Sequence, residues 1–141
     1  MSSNASEGYT SVHAGFHWRV PQVFNIAQAC CHRWARQAAG RTAILYEHES
    51  GQRLTLSYGE LQAQANRLSH ALERLGVQPG DRVALVMPQR PETAIAHMAV
   101  YQMGAVAMPL SMLFGPEALA YRLAHSEAVV AIVDETSIAN L

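Results

Sequence analysis

The sequence predicts an α/β fold: part of a doubly wound parallel sheet with flanking helices, preceded by a β-hairpin. Val83–Met87 is an unbroken apolar run, which is typical of a strand covered on both faces. Two further short apolar runs, Ala105–Met108 and Val129–Val133, alternate with helical patterns. Because parallel strands need crossover connections, strands that alternate with helices favour a parallel sheet.

The composition is that of a globular chain with one core. Half of the 141 residues are apolar, 15% are charged, and the formal net charge is -1. We therefore expect no attraction to nucleic acid or anionic lipid. The sequence has neither a membrane-length apolar run nor the pattern of a signal peptide, so no membrane span is predicted. Adjacent Cys30 and Cys31 cannot easily form a disulfide, which favours a reducing compartment, the cytoplasm.

All ten basic residues counted as lysine or arginine are arginines. The absence of lysine excludes a phosphate loop of the Walker type and Schiff-base chemistry from these 141 residues. We predict no catalytic residue in the chain.

Residues 1–22 are predicted to form a loose arm whose aromatic end packs, and residues 23–141 to form one partial subdomain. His13 and His17 have the spacing of one helical face, but Gly15 interrupts the helix and no carboxylate or cysteine lies nearby. No metal site is therefore predicted.

The next elements carry capping and turn signals. Asn25 is expected to cap a helix that reaches Ala38, with Ile26, Cys30 and Trp34 on one side. A hairpin of Ala43–Glu47 and Arg53–Ser57 follows.

In this hairpin, Leu54 and Leu56 are predicted on the buried face. Ser57 and Glu60 form a capping-box pattern for a helix from Tyr58 to Leu75. The expected buried stripe of that helix is Leu61, Ala65, Leu68, Leu72 and Leu75.

The stretch Gly76–Pro88 is predicted to be a helix stop, a turn and the central strand. Pro91 and Pro116 are expected to open the two later helices, which end near Met103 and Ser126.

Four side chains of these segments have alternative interpretations. Arg90 either contacts a phosphate or forms a surface ion pair, which we favour, and Arg122 is expected to pair with an acid such as Glu117 or Glu127. His97 and His125 invite a general-base interpretation, but we expect ordinary helix residues, because no partner group can be placed beside them.

Several motifs resemble those of a known family in order and spacing. They are Leu54-Thr-Leu-Ser-Tyr-Gly-Glu-Leu61, Asn66-Arg-Leu68, Leu75-Gly-Val-Gln-Pro-Gly-Asp-Arg-Val-Ala-Leu85, Pro88-Gln-Arg-Pro-Glu92, Gly104-Ala-Val106 and Phe114-Gly-Pro-Glu-Ala-Leu119. Together they are similar to the N-terminal portion of AMP-forming acyl-CoA synthetases, in the branch of the acetyl- and medium-chain enzymes.

The resemblance implies a ligase that activates a carboxylic acid with ATP and Mg to an acyl-adenylate and transfers the acyl group to coenzyme A. Such enzymes are several times longer, and the family's phosphate-binding signature and C-terminal lysine are absent here. We therefore expect a fragment that is inactive alone and binds no cofactor tightly.

The resemblance also points to a loop as a possible contact for coenzyme A. Ser111, Met112 and Leu113 occupy the place of a Phe-Gly-Gly segment that lies against coenzyme A in the acetyl-CoA synthetases, and Phe114, the fourth possible contact, matches the phenylalanine that follows that segment. The first three residues depart from that segment, and the missing glycines put a close backbone approach in doubt. Ordinary loop packing is the alternative.

A second hypothesis is a self-contained flavodoxin-like α/β module that binds a partner or nucleotide without catalysis. Under the first hypothesis, an incomplete sheet leaves a strand edge open, which predicts self-association of the isolated chain through that edge.

Overall fold

The computed structural model describes residues 4–141 and confirms the predicted α/β fold class. A helix, α1, precedes a π-helical turn that continues into α2, and a hairpin of β1 and β2 follows. Helices α3, α4 and α5 then alternate with strands β3, β4 and β5, and a 3-10 turn comes last. The bounds are α1 Asn4–Gly15, π turn Gln28–His32, α2 Arg33–Gln37, β1 Thr42–Glu47, β2 Arg53–Ser57, α3 Tyr58–Arg74, β3 Arg82–Val86, α4 Pro91–Gln102, β4 Val106–Pro109, α5 Pro116–Ser126, β5 Val130–Val133 and 3-10 turn Ile138–Asn140.

Strand β3 lies at the centre of a parallel sheet whose order is β4-β3-β5. Ala84 pairs with Met108 on one side and with Ala131 on the other. The chain moves from β3 outward to β4 and then back across β3 to β5. Because parallel crossovers are right-handed, this reversal places α4 and α5 on opposite faces of the sheet, which is the doubly wound arrangement.

The main core lies between β3 and the helices α3 and α4. Four consecutive residues of β3, Val83 to Val86, are at most 2% exposed, as the unbroken apolar run predicts. The buried members of this cluster are Leu72, Val77, Val83, Leu85, Ala96, Val100 and Ala105. Leu68 contacts both this cluster and a second one beneath the hairpin, which contains Cys31, Leu56, Leu61 and Ile95.

The hairpin forms as predicted, with β1 and β2 antiparallel, but its buried face is shorter than expected. Leu56 is buried in the second cluster, whereas Leu54 is 46% exposed, so the prediction for Leu54 is wrong. Leu54 is closer to the turn and faces an open groove beside Pro91 and Glu92, at the start of α4.

The helix after Asn25 begins with the predicted cap, because the Asn25 Oδ1 atom accepts a hydrogen bond from the Gln28 N–H at 3.0 Å. Its buried side is displaced by one residue from the prediction. Ala27 and Cys31 are buried, while Ile26 and Cys30 are exposed. The π-helical turn over Gln28–His32 has a wider spacing than an α-helix, so strict α-helical periodicity does not apply there.

Helix α3 has defined signals at both ends. At its start, the Ser57 hydroxyl accepts from the Glu60 N–H and the Glu60 carboxylate accepts from the Ser57 N–H, which is the predicted capping box. At its end, Gly76 has a φ of 91°, and the Val77 N–H donates to the Leu72 carbonyl at 3.1 Å.

The end of α3 also corrects one predicted core residue. Val77 and Leu72 are both buried in the main cluster, as this type of helix ending favours. Leu75 lies at the C-cap and is 70% exposed, so its assignment to the buried stripe is wrong.

The N-terminal arm departs from the prediction that its aromatic end packs. Residues 1–3 lie outside the described residues, and residues 4–15 form α1. Phe16 and Trp18 contact each other edge to face, with ring centroids 5.0 Å apart, yet both side chains are mostly exposed. Two adjacent rings do not bury each other without a further surface to cover them.

Removing the Ser57 hydroxyl should destabilise the fold. Loss of an N-cap side chain typically costs about 1 kcal/mol, so we expect Ser57→Ala to lower the free energy of unfolding by that amount. Urea titration followed by circular dichroism measures it. Ser11→Ala, at an exposed position in α1, is the control and should change stability by no more than about 0.5 kcal/mol. Equal effects of the two substitutions would contradict this role for the cap.

Candidate functional site

An open cleft of about 750 Å³ lies at the carboxyl ends of β3 and β4. Ligands of open α/β sheets bind at this end of the strands. The floor and one wall come from the loop after β3 and the first two turns of α4, and the other wall comes from the loop after β4. The lining residues are Leu85, Met87, Pro88, Gln89, Arg90, Thr93, Ala94, His97, Pro109, Leu110, Ser111, Met112 and Leu113.

Arg90, at the edge of this cleft, is held by two carboxylates. Its Nη1 atom donates to Asp134 Oδ2 at 2.7 Å, and its Nε atom donates to Glu92 Oε2 at 3.0 Å. Together the two acids raise the pKa of Arg90. The predicted ion pair is confirmed, and since two negative charges already face the guanidinium, little positive potential is left for a phosphate.

Asp134 is the centre of a hydrogen-bonded turn that follows β5. Its side chain is 6% exposed and accepts from the Thr136 hydroxyl at 2.6 Å and the Thr136 N–H at 3.0 Å, as well as from Arg90. These bonds, chiefly those from Thr136, lower the pKa of Asp134. The carboxylate therefore stays ionised and links the end of β5 to the loop after β3.

Ser137 attaches the same turn to the central strand. Its side chain is 1% exposed, and its hydroxyl bonds to the carbonyl oxygens of Val86 and Asp134, each at 3.0 Å. The edge of the cleft is thereby fixed to the last residue of β3.

The loop predicted to contact coenzyme A lies partly inside the cleft and partly outside it. Ser111, Met112 and Leu113 line the cleft, and Leu113 is 94% exposed. The Ser111 hydroxyl accepts from the Leu113 N–H at 3.2 Å, which closes the loop locally. Phe114 lies outside the lining, and its ring packs beneath the Arg122 guanidinium at 4.0 Å.

This contact also corrects the predicted partner of Arg122. The guanidinium lies over the Phe114 ring, and its Nη1 atom donates to the Ala118 carbonyl at 2.9 Å. Of the acids predicted for it, Glu127 pairs instead with Arg82 at 2.8 Å. A cation over an aromatic face is a favourable alternative to a surface ion pair.

Sequence reasoning missed Thr93 as a member of the cleft wall, and it considered His97 as a possible general base without placing it in the cleft. The Thr93 carbonyl lies 2.8 Å from His97 Nδ1, and both residues lie one turn apart on α4. Their spacing behind Pro91, together with the rule that ligands collect at strand ends, would have pointed to this face. His125 lies elsewhere and stacks on Tyr121, with ring centroids 5.5 Å apart.

Three further observations concern the residues that the structure describes. Among the described side chains, those of residues 8–139 and 141, no three metal-ligating groups come together, and His13 stacks on Tyr9. No described helix has the length and apolar character needed to cross a bilayer. Cys30 and Cys31 are both free thiols, the first exposed and the second buried.

Comparison with known proteins identifies the family. A model of the family described as AMP-binding enzyme matches residues 31–141, which include the whole parallel sheet and the cleft. This chain belongs to the AMP-binding enzyme family. The family match favours the acyl-CoA synthetase hypothesis over the flavodoxin-like module.

Relatives and solved structures agree with this assignment. The acetyl-coenzyme A synthetase of Streptomyces coelicolor is 40% identical over 116 residues, which are 82% of this chain and 18% of that protein. A benzoate CoA ligase from Burkholderia xenovorans superposes with a TM-score of 0.73 at 31% identity, over 84% of this chain and 23% of that one.

A third similarity concerns the fold alone. The acyl-CoA synthetase of Brucella canis superposes with a TM-score of 0.85 at 23% identity, over 94% of this chain and 26% of that one. This AMP-binding enzyme chain thus spans about a fifth of the length of the curated relatives that it matches.

The lowered pKa of Asp134 predicts how the stability of the folded chain changes at acid pH. A carboxyl whose pKa is lowered on folding stabilises the protein above its unfolded pKa of about 3.9, and that contribution disappears as the pH falls through the folded value. We expect Asp134→Asn to lower the urea midpoint at pH 7 and to approach the wild type as the pH falls below about 4.

The exposed neighbour variant Glu135→Gln is the matched control for this measurement. It should follow the wild-type midpoint at every pH. If the Asp134→Asn curve ran parallel to the wild-type curve down to acid pH, the ionised Asp134 would not be the source of the stabilisation.

Proposed function

We propose that this chain forms the leading part of the adenylating region of an AMP-forming acid–CoA ligase. In the proposed reaction, a carboxylic acid attacks the α-phosphate of ATP, with Mg, to give an acyl-adenylate and pyrophosphate. The thiol of coenzyme A then displaces AMP to give the thioester. The family match over residues 31–141 carries this proposal, and relatives named as acetyl-coenzyme A synthetases support it.

The role that we assign to these 141 residues is structural support together with one wall of a binding cleft. The described cleft contains no nucleophile activated by a base, and its single cation, Arg90, is already paired with Glu92 and Asp134. All ten basic residues are arginines, so any catalytic lysine comes from outside these residues. We therefore propose that the 141 residues alone neither turn over nor bind ATP or coenzyme A tightly.

The location and association of the protein are also part of the proposal. Two free cysteines, one of them exposed, suit a reducing cytoplasm. Both β4 and β5 are outer strands of the parallel sheet, which supports self-association of the isolated chain through an open edge. Residues 23–141 form the subdomain in this proposal, and residues 1–22 form an arm attached to it.

An assay of AMP formation tests the proposed reaction. We expect the product of the complete reading frame that contains this chain to release AMP only when ATP, Mg, coenzyme A and an acid are all present. Acetate, a medium-chain fatty acid and benzoate form a suitable panel. No AMP with any of a broad set of acids would contradict the ligase proposal, whereas turnover by residues 1–141 alone would contradict only their proposed inactivity.

The loop after β4 is proposed to lie against coenzyme A, and its lining supports this. Ser111, Met112 and Leu113 face a cleft whose other residues are mainly apolar or neutral. Such a wall suits the uncharged amide-bearing arm of coenzyme A better than its phosphates. Phe114 contributes indirectly, because its ring is held by Arg122 outside the cleft.

We expect Leu113→Glu, made in the protein encoded by the complete reading frame, to weaken only the second half-reaction, the transfer of the acyl group to coenzyme A. A new negative charge at this 94% exposed position repels an anionic nucleotide, so we expect the KM for coenzyme A to rise about 3- to 10-fold. The acid-dependent exchange of pyrophosphate into ATP, which needs no coenzyme A, should be unchanged.

Leu45→Glu is the control, at an 80% exposed position on the hairpin. It should change neither half-reaction. A fall in both half-reactions for Leu113→Glu, or no change in the KM for coenzyme A, would contradict the proposed contact.

A further inference from the structure

His97 belongs to the helical wall of the cleft. It lies on α4, one turn after Thr93, and it lines the same cleft as Ser111, Met112 and Leu113 of the opposite wall. Its side chain is partly buried. What such a ring offers to a ligand depends on which of its two nitrogens carries the hydrogen.

A hydrogen bond within α4 fixes the position of that hydrogen. The Nδ1 atom of His97 lies 2.8 Å from the carbonyl oxygen of Thr93. A carbonyl oxygen can only accept, so Nδ1 donates and carries the hydrogen. In the neutral ring, Nε2 therefore has a free lone pair and acts as a hydrogen-bond acceptor.

Neighbours on α4 also hold the ring in place. The bond to Thr93 comes from the preceding turn, and the ring of Tyr101 lies one turn later, with its centroid 5.8 Å from that of His97. Nε2 bonds to no residue in the described part of the chain, and it is not enclosed, so solvent reaches it. An acceptor that a helix already holds in position loses little entropy when a ligand binds.

The helical wall offers acceptors rather than donors to a ligand. Thr93 and His97 are the partly buried polar residues in the lining, whereas the other polar residues there, Gln89, Arg90 and Ser111, are exposed. The Thr93 hydroxyl donates to the carbonyl of the loop residue that ends the approach from β3, so only its lone pairs are left. His97 likewise presents a lone pair. A ligand that lies against this wall must therefore donate hydrogen bonds.

An amide-bearing chain has the chemistry that this wall requires. Amide N–H groups donate, and a chain without charge does not need a free cation in the cleft. A phosphate group has only acceptors and would face lone pairs on this wall. Within coenzyme A, the uncharged arm between the nucleotide and the thiol carries the amide groups.

We propose that His97 is a binding residue of this cleft and that its Nε2 atom accepts a hydrogen bond from an amide N–H of the uncharged arm of coenzyme A. The inference rests on the proposed ligase function and names a further residue of the same site. His97 contributes affinity here and is no general base, because the amide keeps its proton.

Isothermal titration calorimetry of the protein encoded by the complete reading frame tests this contact. The probes are coenzyme A and pantetheine, which has the amide-bearing arm but no phosphate. At about pH 8 free imidazole is neutral, so the titrations are made there. We expect His97→Leu to raise the Kd for both probes by the same factor of about 5, the usual effect of one hydrogen bond between neutral groups.

Two further substitutions separate the ligand contact from the bond to Thr93. His97→Asn keeps a side-chain N–H near the backbone but has no group in the place of Nε2, so it should weaken binding as His97→Leu does. His97→Gln places an amide oxygen near the position of Nε2. It should bind both probes within about 2-fold of the wild type.

His125→Leu is the matched control. His125 is also a helical histidine that stacks on a tyrosine one turn away, Tyr121, but it lies outside the cleft lining. Its replacement removes the same ring from a helix surface and should leave both Kd values unchanged.

Several results would overturn the proposal. They are a wild type that binds neither probe, unchanged Kd values in His97→Leu, a rise for coenzyme A alone, and equal binding by the Asn and Gln variants. The ligase proposal has a separate outcome. If the protein forms no AMP but its binding of pantetheine still depends on His97, only the ligase proposal fails.

Discussion

Burial of β3 on both of its faces is the constraint on which the rest of the structure depends. Val83 to Val86 are almost inaccessible, so this strand needs a strand on each side and a helix layer above and below. Apolar burial stabilises by about 25 cal/mol per Å², and no side chain between Val83 and Val86 is polar, so none of these four can select a neighbouring strand by a hydrogen bond. Register is set instead by the ladders to β4 and β5 and by the crossovers that position them.

The candidate site follows from where β3 stops. Its last residue, Val86, accepts a hydrogen bond from Ser137 through its carbonyl, and the chain beyond it turns to present Arg90 to Asp134. The cleft is therefore bordered by segments that are fixed to the central strand, while the Leu113 side projects freely. A fixed edge beside an exposed loop is a usual arrangement where a loop on a scaffold contacts a ligand.

Local signals in the sequence were sufficient for most elements of the fold. The capping box at Ser57, the prolines at the starts of α4 and α5 and the unbroken run of β3 act over a few residues, so the sequence alone predicts them. Leu54 and Leu75 were wrongly assigned to the core, since alternation and helical spacing say which way a side chain points but not how far the covering layer extends. The buried position is Cys31 rather than the predicted Cys30 because of a π-helical turn, which no residue pattern in the sequence predicts.

The candidate site was predictable in outline only. The family resemblance singled out Ser111, Met112 and Leu113, and the structure shows that these residues line the cleft at the carboxyl ends of the strands. Whether Arg122 would find an acid or an aromatic ring depended on the distance between Phe114 and α5, which is a tertiary quantity. The burial of Asp134 likewise depended on a contact with Arg90 from a distant part of the chain.

The strand order has a consequence for how the chain is made. Both neighbours of β3 come later in the sequence, and its pairing with β5 joins Val83 to Val130. Ribosomes add about 5–20 residues per second, so a completed β3 waits for some seconds with one or both ladder edges bare. During that interval the most buried strand of the protein can be covered only by segments already synthesised, of which α3 is the one that packs against it in the folded core.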